Sequence, residues 1–261
     1  MRELYPQNWE SYLPVFLIFL RLLGVFLLIP GFSHNAIPVK MKLLLSMVTA
    51  LGLYPVLRKY LPVVNGDLLV LFQCVIKEIV VGFVMGIAAY VTFEALALGA
   101  QFIGTQMGFG AASLFDPTSE IHASVIVALK GWIVLMIFFA LDFHHQVIHL
   151  FITSFEFTHK MSGPGLGDMA AVTEFIRLTG KLFVMAIQIA APFTFLVLAL
   201  NVAIGVLARM MPQMNVLLFS FPITITLGIA ALYIIAPEYL DFVEHALAEM
   251  TGDMLSLLKT V

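Results

Sequence analysis

Two stretches of this chain, 182–208 and 210–237, contain no Asp, Glu, Lys or Arg at all. A helix needs about 20 consecutive apolar residues to cross a bilayer, and each stretch is long enough on its own. In hydrocarbon every backbone polar group must be satisfied internally, which leaves only helices and closed barrels. Barrel strands alternate apolar and polar residues over segments of about 10, and no such alternation is present. The chain is therefore expected to be an all-α, polytopic membrane protein. Composition agrees, since 61% of the 261 residues are hydrophobic and 11% are charged, against about 25% charged in a soluble domain. That leaves too little charge to cover a water-facing surface. The net charge of −3 argues against nucleic-acid binding through bulk electrostatics.

Six apolar blocks follow one another: 11–32, 39–57, 68–112, 121–155, 169–211 and 214–236. Turn-forming residues separate them, including Ser33-His34-Asn35, the segment 62–67, Asp116-Pro117-Thr118-Ser119 and Ser162-Gly163-Pro164-Gly165. The first block lacks an Ala-x-Ala cleavage site and is expected to stay as a membrane-inserted segment. Blocks 68–112 and 169–211 exceed a simple crossing, so each is expected either to break into a hairpin or to run well beyond the bilayer. Residues 1–236 are read as one helical membrane domain. Residues 237–261 are read as a tail, because Phe242, Leu247, Met250, Met254 and Leu258 recur at helical spacing beside acidic residues, as in a short amphipathic helix. Basic residues flank the second block on both sides, Lys40 and Lys42 before Arg58 and Lys59, so the positive-inside rule assigns no orientation. Cys74 is the only cysteine and can form no internal disulfide.

Charges inside the apolar blocks are the first candidates for chemistry: Arg21, Lys77, Glu78, Glu94, Lys130, Asp142 and Lys181. Each costs at least about 2.5–3.5 kcal/mol at the centre of a bilayer, so partners or water are expected. Lys77 and Glu78 are sequence neighbours and cannot face each other on a helix, so their partners come from another helix or another subunit. Structural ion pairing is the simpler reading, and a proton pathway the sharper one. His144, His145 and His149 form a second group. His145 and His149 share a helix face one turn from Asp142 and could ligate zinc. The glutamate of an H-E-x-x-H site is missing, however, and no cysteine joins them; a polar packing cluster is the preferred reading. Small residues at four-residue spacing (Gly82 and Gly86, Ala95 and Gly99, Gly104 and Gly108) permit close helix approach in lipid.

The most informative stretch is Gln106, Met107, Gly108, Phe109, Gly110, Ala111, Ala112, Ser113, Leu114, Phe115, Asp116 and Pro117. Its glycines weaken helix continuity, its apolar side chains can exclude water, and Asp-Pro stops a helix. Irregular backbone at membrane depth is tolerated only when buried in protein or lining an aqueous cavity. Residues alone leave two readings open, a hairpin turn and a pore seal. No nucleophile–base constellation or phosphate-binding glycine motif is visible, so the chain is not expected to be an enzyme or to need a cofactor or metal.

At these residues the chain resembles the FliR/SctT family, the single-copy subunit of the type III protein-export gate. The resemblance rests on Arg21-Leu22-Leu23-Gly24, Pro30-Gly31-Phe32-Ser33 and Ile37-Pro38-Val39-Lys40-Met41-Lys42. It continues through Gly104-Thr105-Gln106-Met107-Gly108-Phe109, Phe115-Asp116-Pro117, Asp142-Phe143-His144-His145 and Ser154-Phe155. It ends in Ala208-Arg209-Met210-Met211-Pro212-Gln213-Met214-Asn215-Val216 and Phe221-Pro222-Ile223. Phe143 departs from the pattern, which has Gly before the histidines. The resemblance implies long, broken helices and helical hairpins packed into a hetero-oligomeric pore. It implies FliP-like and FliQ-like subunits as partners, with FlhB-like and FlhA-like proteins associated from the cytoplasmic side. The implied location is the inner membrane, at the flagellar basal body. Unfolded export substrates would pass through the pore, and 106–117 would form its plug, with Met107, Phe109, Leu114 and Phe115 as sealing side chains. An injectisome gate is the alternative of the same kind. A proton-coupled transporter using Lys77, Glu78, Glu94 and the histidines is the rival of another class, and a metal enzyme built on His145 and His149 is a third.

Overall fold

The computed structural model of the protein describes residues 9–29, 31, 37–61, 68–108, 125–160, 169–211, 213 and 216–260. Regular structure among these residues is helical. The helices are α1 (Trp9–Leu28), α2 (Val39–Leu57), α3 (Leu68–Gln106), α4 (Val125–Ala140), α5 (Phe143–Lys160), α6 (Met169–Met210) and α7 (Val216–Thr260), with a 3-10 turn over Arg58–Tyr60. Four of them are long and apolar enough to cross a membrane, and the bent pair α4–α5 makes a fifth if it counts as one span. The protein is a helical membrane protein.

Blocks 68–112 and 169–211 are not hairpins within the described residues. α3 is one helix of 39 residues and α6 one of 42, about 58 and 63 Å long at 1.5 Å per residue. Pro192 lies inside α6, and such prolines are tolerated in membrane helices because neighbouring groups re-satisfy the freed carbonyl. Block 121–155, read as one stretch, is broken instead. Asp142 has φ 58, and the helix breaks there between α4 and α5. Asp is among the few non-glycine residues that visit the left-handed region readily, so the turn next to Phe143 needs no glycine. The tail expected as a separate short helix is the end of α7, which runs through Pro237 for 45 residues. Of the predicted apolar stripe, Leu247, Met250, Met254 and Leu258 are buried and Phe242 is half-buried.

The chain forms two compact units. The first comprises residues 1–91, 142–178 and 248–261. Its core holds Leu17, Ile18, Met85, Phe151 and Phe155. α1 packs on α2, and it crosses α3 so closely that a Cβ added at Gly82 would lie 2.4 Å from the Arg21 carbonyl oxygen. Gly24 sits at the same crossing, where an added Cβ would lie 2.9 Å from the backbone of Gly82 and Phe83. α2 buries Lys42, Ser46, Ala50 and Leu57 and exposes Met41, Leu44, Val48 and Leu51. Its small and polar stripe thus faces the protein and its large apolar residues face outward, the arrangement expected where lipid replaces water. Near the chain's end, Arg177 bridges Glu174 at 2.7 Å and Asp253 at 2.9 Å, and Ser256 donates to Glu174.

The second unit comprises residues 92–141 and 179–247. Phe93 and Phe138 meet edge to face at 5.5 Å. Gly99 admits α6, its missing Cβ leaving room for Ile189 and the Ala186 carbonyl.

Candidate functional site

In the first unit the intramembrane charges converge on Arg21, which is 0% exposed. Its Nε donates to Glu78 Oε2 at 2.5 Å, Nη1 to Ser154 Oγ at 2.7 Å and Nη2 to Thr158 Oγ1 at 3.0 Å. The guanidinium lies over the Phe155 ring, 3.7 Å from its centroid. Both hydroxyls work in two directions, because Ser154 donates onward to the Phe151 carbonyl and Thr158 to the Ser154 carbonyl. Lys77, one residue from Glu78, turns to the Thr158 carbonyl at 2.9 Å. α1, α3 and α5 are thereby tied by one ion pair and a set of charge-assisted hydrogen bonds, the strong class of such bonds. Sequence reasoning singled out Arg21, Lys77 and Glu78; Ser154 entered only within the family-like pair Ser154-Phe155, with no role given to it, and Thr158 not at all. The available signal was their i,i+4 spacing on one face of α5.

The histidine group is arranged differently from the His145/His149 pair expected. Ligand atoms of Asp142, His144 and His145 lie within 4.8 Å of one another, while His149 is outside that set and exposed. His145 Nδ1 and Asp142 Oδ1 are 3.1 Å apart, and the two imidazole rings stack tilted at 4.1 Å. Asp142 also accepts the His145 backbone N–H at its carbonyl, so the cluster closes the bend between α4 and α5. Glu94 is exposed, and Lys181 is half-buried.

In the second unit, Lys130 is buried between aromatic rings, with Nζ 3.7 Å from the Tyr239 centroid and 5.6 Å from that of Phe193. The stretch expected to act as a plug begins here too. α3 ends at Gln106, whose side-chain amide donates to Thr194 Oγ1 at 2.8 Å. Met107 is fully buried and its side chain fills the space above Gly228 on α7, where an added Cβ would lie 2.7 Å from Met107 Cε. Gly108 takes φ 85, a conformation glycine adopts without cost, and turns the chain off the helix axis. Residues 109–117, with Phe109, Leu114 and Phe115, lie outside the described residues. The described part of the stretch is therefore a triply fixed anchor: an amide hydrogen bond to α6, a buried thioether and a left-handed glycine.

Residues 12–250 match the family of bacterial export proteins, family 1. The chain belongs to that family. It is homologous over its whole length to flagellar FliR proteins. It is 29% identical to the flagellar biosynthetic protein FliR of Escherichia coli (strain K12) over 269 residues, covering 100% of both chains. The FliR of Pectobacterium carotovorum is 29% identical, with 97% of this chain and 96% of that one covered. The FliR of Bacillus subtilis (strain 168) is 25% identical, with 95% and 96% covered. Family membership together with apolar helices, rather than the strands of an outer-membrane barrel, places the protein in the bacterial inner membrane as a component of the export-gate machinery.

Proposed function

We propose that this chain is a structural and gating subunit of the flagellar type III export gate, helping to form and seal a pore for unfolded export substrates. The observation that carries the reading is the match to a flagellar biosynthetic FliR, which covers 100% of both sequences. In this reading FliP-like and FliQ-like subunits pack around the chain at the basal body, and FlhB-like and FlhA-like proteins engage it from the cytoplasmic side. The chain carries out no catalysis, and the energy for export comes from elsewhere in the apparatus. Two features of the fold support a scaffold over a proton-coupled carrier. Glu78 and Lys77 are both engaged in helix-to-helix contacts, and the Arg21 guanidinium that meets Glu78 is itself fully buried. The anchoring of 106–108 supports the sealing role, because a plug needs a fixed root.

Deleting 108–113 tests the reading. The assembled gate should still form, and its closed state should conduct ions or small solutes. An assembled complex whose closed-state conductance is unchanged would remove the plug from 106–117. Mildly solubilised protein should leave the membrane as one copy with several different small membrane subunits, and a homo-oligomer in native mass spectrometry would refute the gate assignment itself.

A further inference from the structure

The second unit contains a cavity of about 610 Å³ between α4, α6 and α7, walled by apolar residues that include Leu129, Ile133, Ile189 and Phe193. Lys130 is its one cationic lining residue, and the exposed Glu238 its one acidic one. The side chain is only 4% exposed, and no carboxylate among the described residues lies within ion-pair distance of its ammonium. Beside it the Tyr239 hydroxyl is buried and has no hydrogen-bond partner among the described residues. Among the described residues nothing accepts a hydrogen bond from either group, although Gln188 and Glu238 also line the chamber. Leaving such groups unmatched is costly.

Their level on the helices is informative. On α7 the uncharged run that begins after Arg209 ends at Glu238, and Asp241 and Glu244 follow. Tyrosines concentrate where a membrane's apolar region meets its headgroups. Lys130 and Tyr239 therefore stand at a polar boundary, with the chamber reaching from it along apolar helix. Volume bears on the occupant. A helix is 10–12 Å across, so about one turn of it would fill 610 Å³. A pocket of this size, apolar with a few convergent polar groups, is the ordinary form of a site for a small amphiphile.

We propose that the cavity binds a phospholipid through its phosphate. One acyl chain fills the chamber, and the phosphate oxygens accept from the Lys130 ammonium and the Tyr239 hydroxyl. This rests on membrane insertion alone and stands or falls independently of the export reading.

The test uses the full chain, extracted with whatever subunits accompany it, and phosphatidylglycerol as the probe. Native mass spectrometry should show phosphatidylglycerol retained. Added phosphatidylglycerol should raise the melting temperature, whereas diacylglycerol, with the same chains and no phosphate, and inorganic phosphate, with no chains, should not. K130M should weaken binding about fivefold or more, the worth of one lysine facing an anionic headgroup, and K130R should preserve it. Y239F keeps the ring and should weaken binding about tenfold through the lost hydroxyl. If K130M does not fold, the comparison of lipids on the wild type and Y239F decides. Equal binding of phosphatidylglycerol and diacylglycerol overturns the proposal, as does undiminished binding by both K130M and Y239F. So does a K130M protein that keeps its lipid and loses a co-extracted subunit, for then the lysine serves a partner's carboxylate.

Discussion

Arg21 is a charge that no water reaches, and it is stable there because each of its three nitrogens has an acceptor and its flat face has a ring. Removing one member of a buried pair leaves the other uncompensated, at a cost of about 3–5 kcal/mol. Glu78→Gln should therefore destabilise the protein by that order in detergent unfolding measurements. Replacing both partners with apolar residues of similar volume is often close to neutral. The Arg21→Met, Glu78→Met double variant should accordingly unfold later than Arg21→Met alone. A double variant that is the less stable of the two would mean that the charges do more than balance each other.

At the level of helices, glycines decide what can approach what. A Cβ at Gly82 would meet the Arg21 backbone rather than a side chain that can swing aside. Gly82→Ala should push α1 off α3 and carry the arginine with it, at about 1–3 kcal/mol. Gly52 and Gly131 have open space around them, so alanine there should be neutral or stabilising by up to about 1 kcal/mol through helix propensity. Thermal melting of the three variants side by side checks the contrast. Gly228→Ala should dislodge Met107, and Met107→Ala in the same chain should restore the melting temperature, because the second change removes the atoms the first one strikes.

Helix content and the close-packing glycines of α3 were legible in the sequence, since uncharged runs and four-residue spacing report on local chemistry, whereas Gly24 on α1 carried no such spacing. The fates of the long blocks were not. Proline reads as a break, yet Pro192, Pro222 and Pro237 all lie inside helices, because packing around a membrane helix can meet the carbonyl that proline leaves unpaired. The break that does occur falls at Asp142, a residue with no helix-stopping signature beyond its tolerance of positive φ. In the candidate site, Arg21 and Glu78 stood out as charges in apolar surroundings. Ser154 and Thr158 did not, since hydroxyls are cheap in any helix and only the fold brings a guanidinium to them. Gly228 was equally silent, its role depending on a methionine more than a hundred positions away.

For the whole molecule, the outer surface is the unusual part. Tyr233, Phe195, Met136 and Trp132 are all largely exposed, an apolar exterior that water does not tolerate. The protein should stay in solution only with detergent, lipid or companion subunits. Pulse-chase labelling should show it degraded faster in cells lacking the other gate subunits than in cells that make them. Equal lifetimes in the two strains would show that lipid alone satisfies its surface.

The lengths of α3, α6 and α7 carry this further. At about 58–67 Å, they are roughly twice the hydrocarbon thickness of about 30 Å, and the tilt of up to about 40° seen in membrane helices does not absorb the difference. A lone copy thus leaves helix beyond the lipid, charged at the start of α6 and the end of α7 but with exposed Leu68 and Phe72 at the start of α3. That exposed apolar end is a label any membrane protease or chaperone can read. Supply of this subunit would then be matched to supply of its neighbours by disposal of the surplus, with no dedicated regulator.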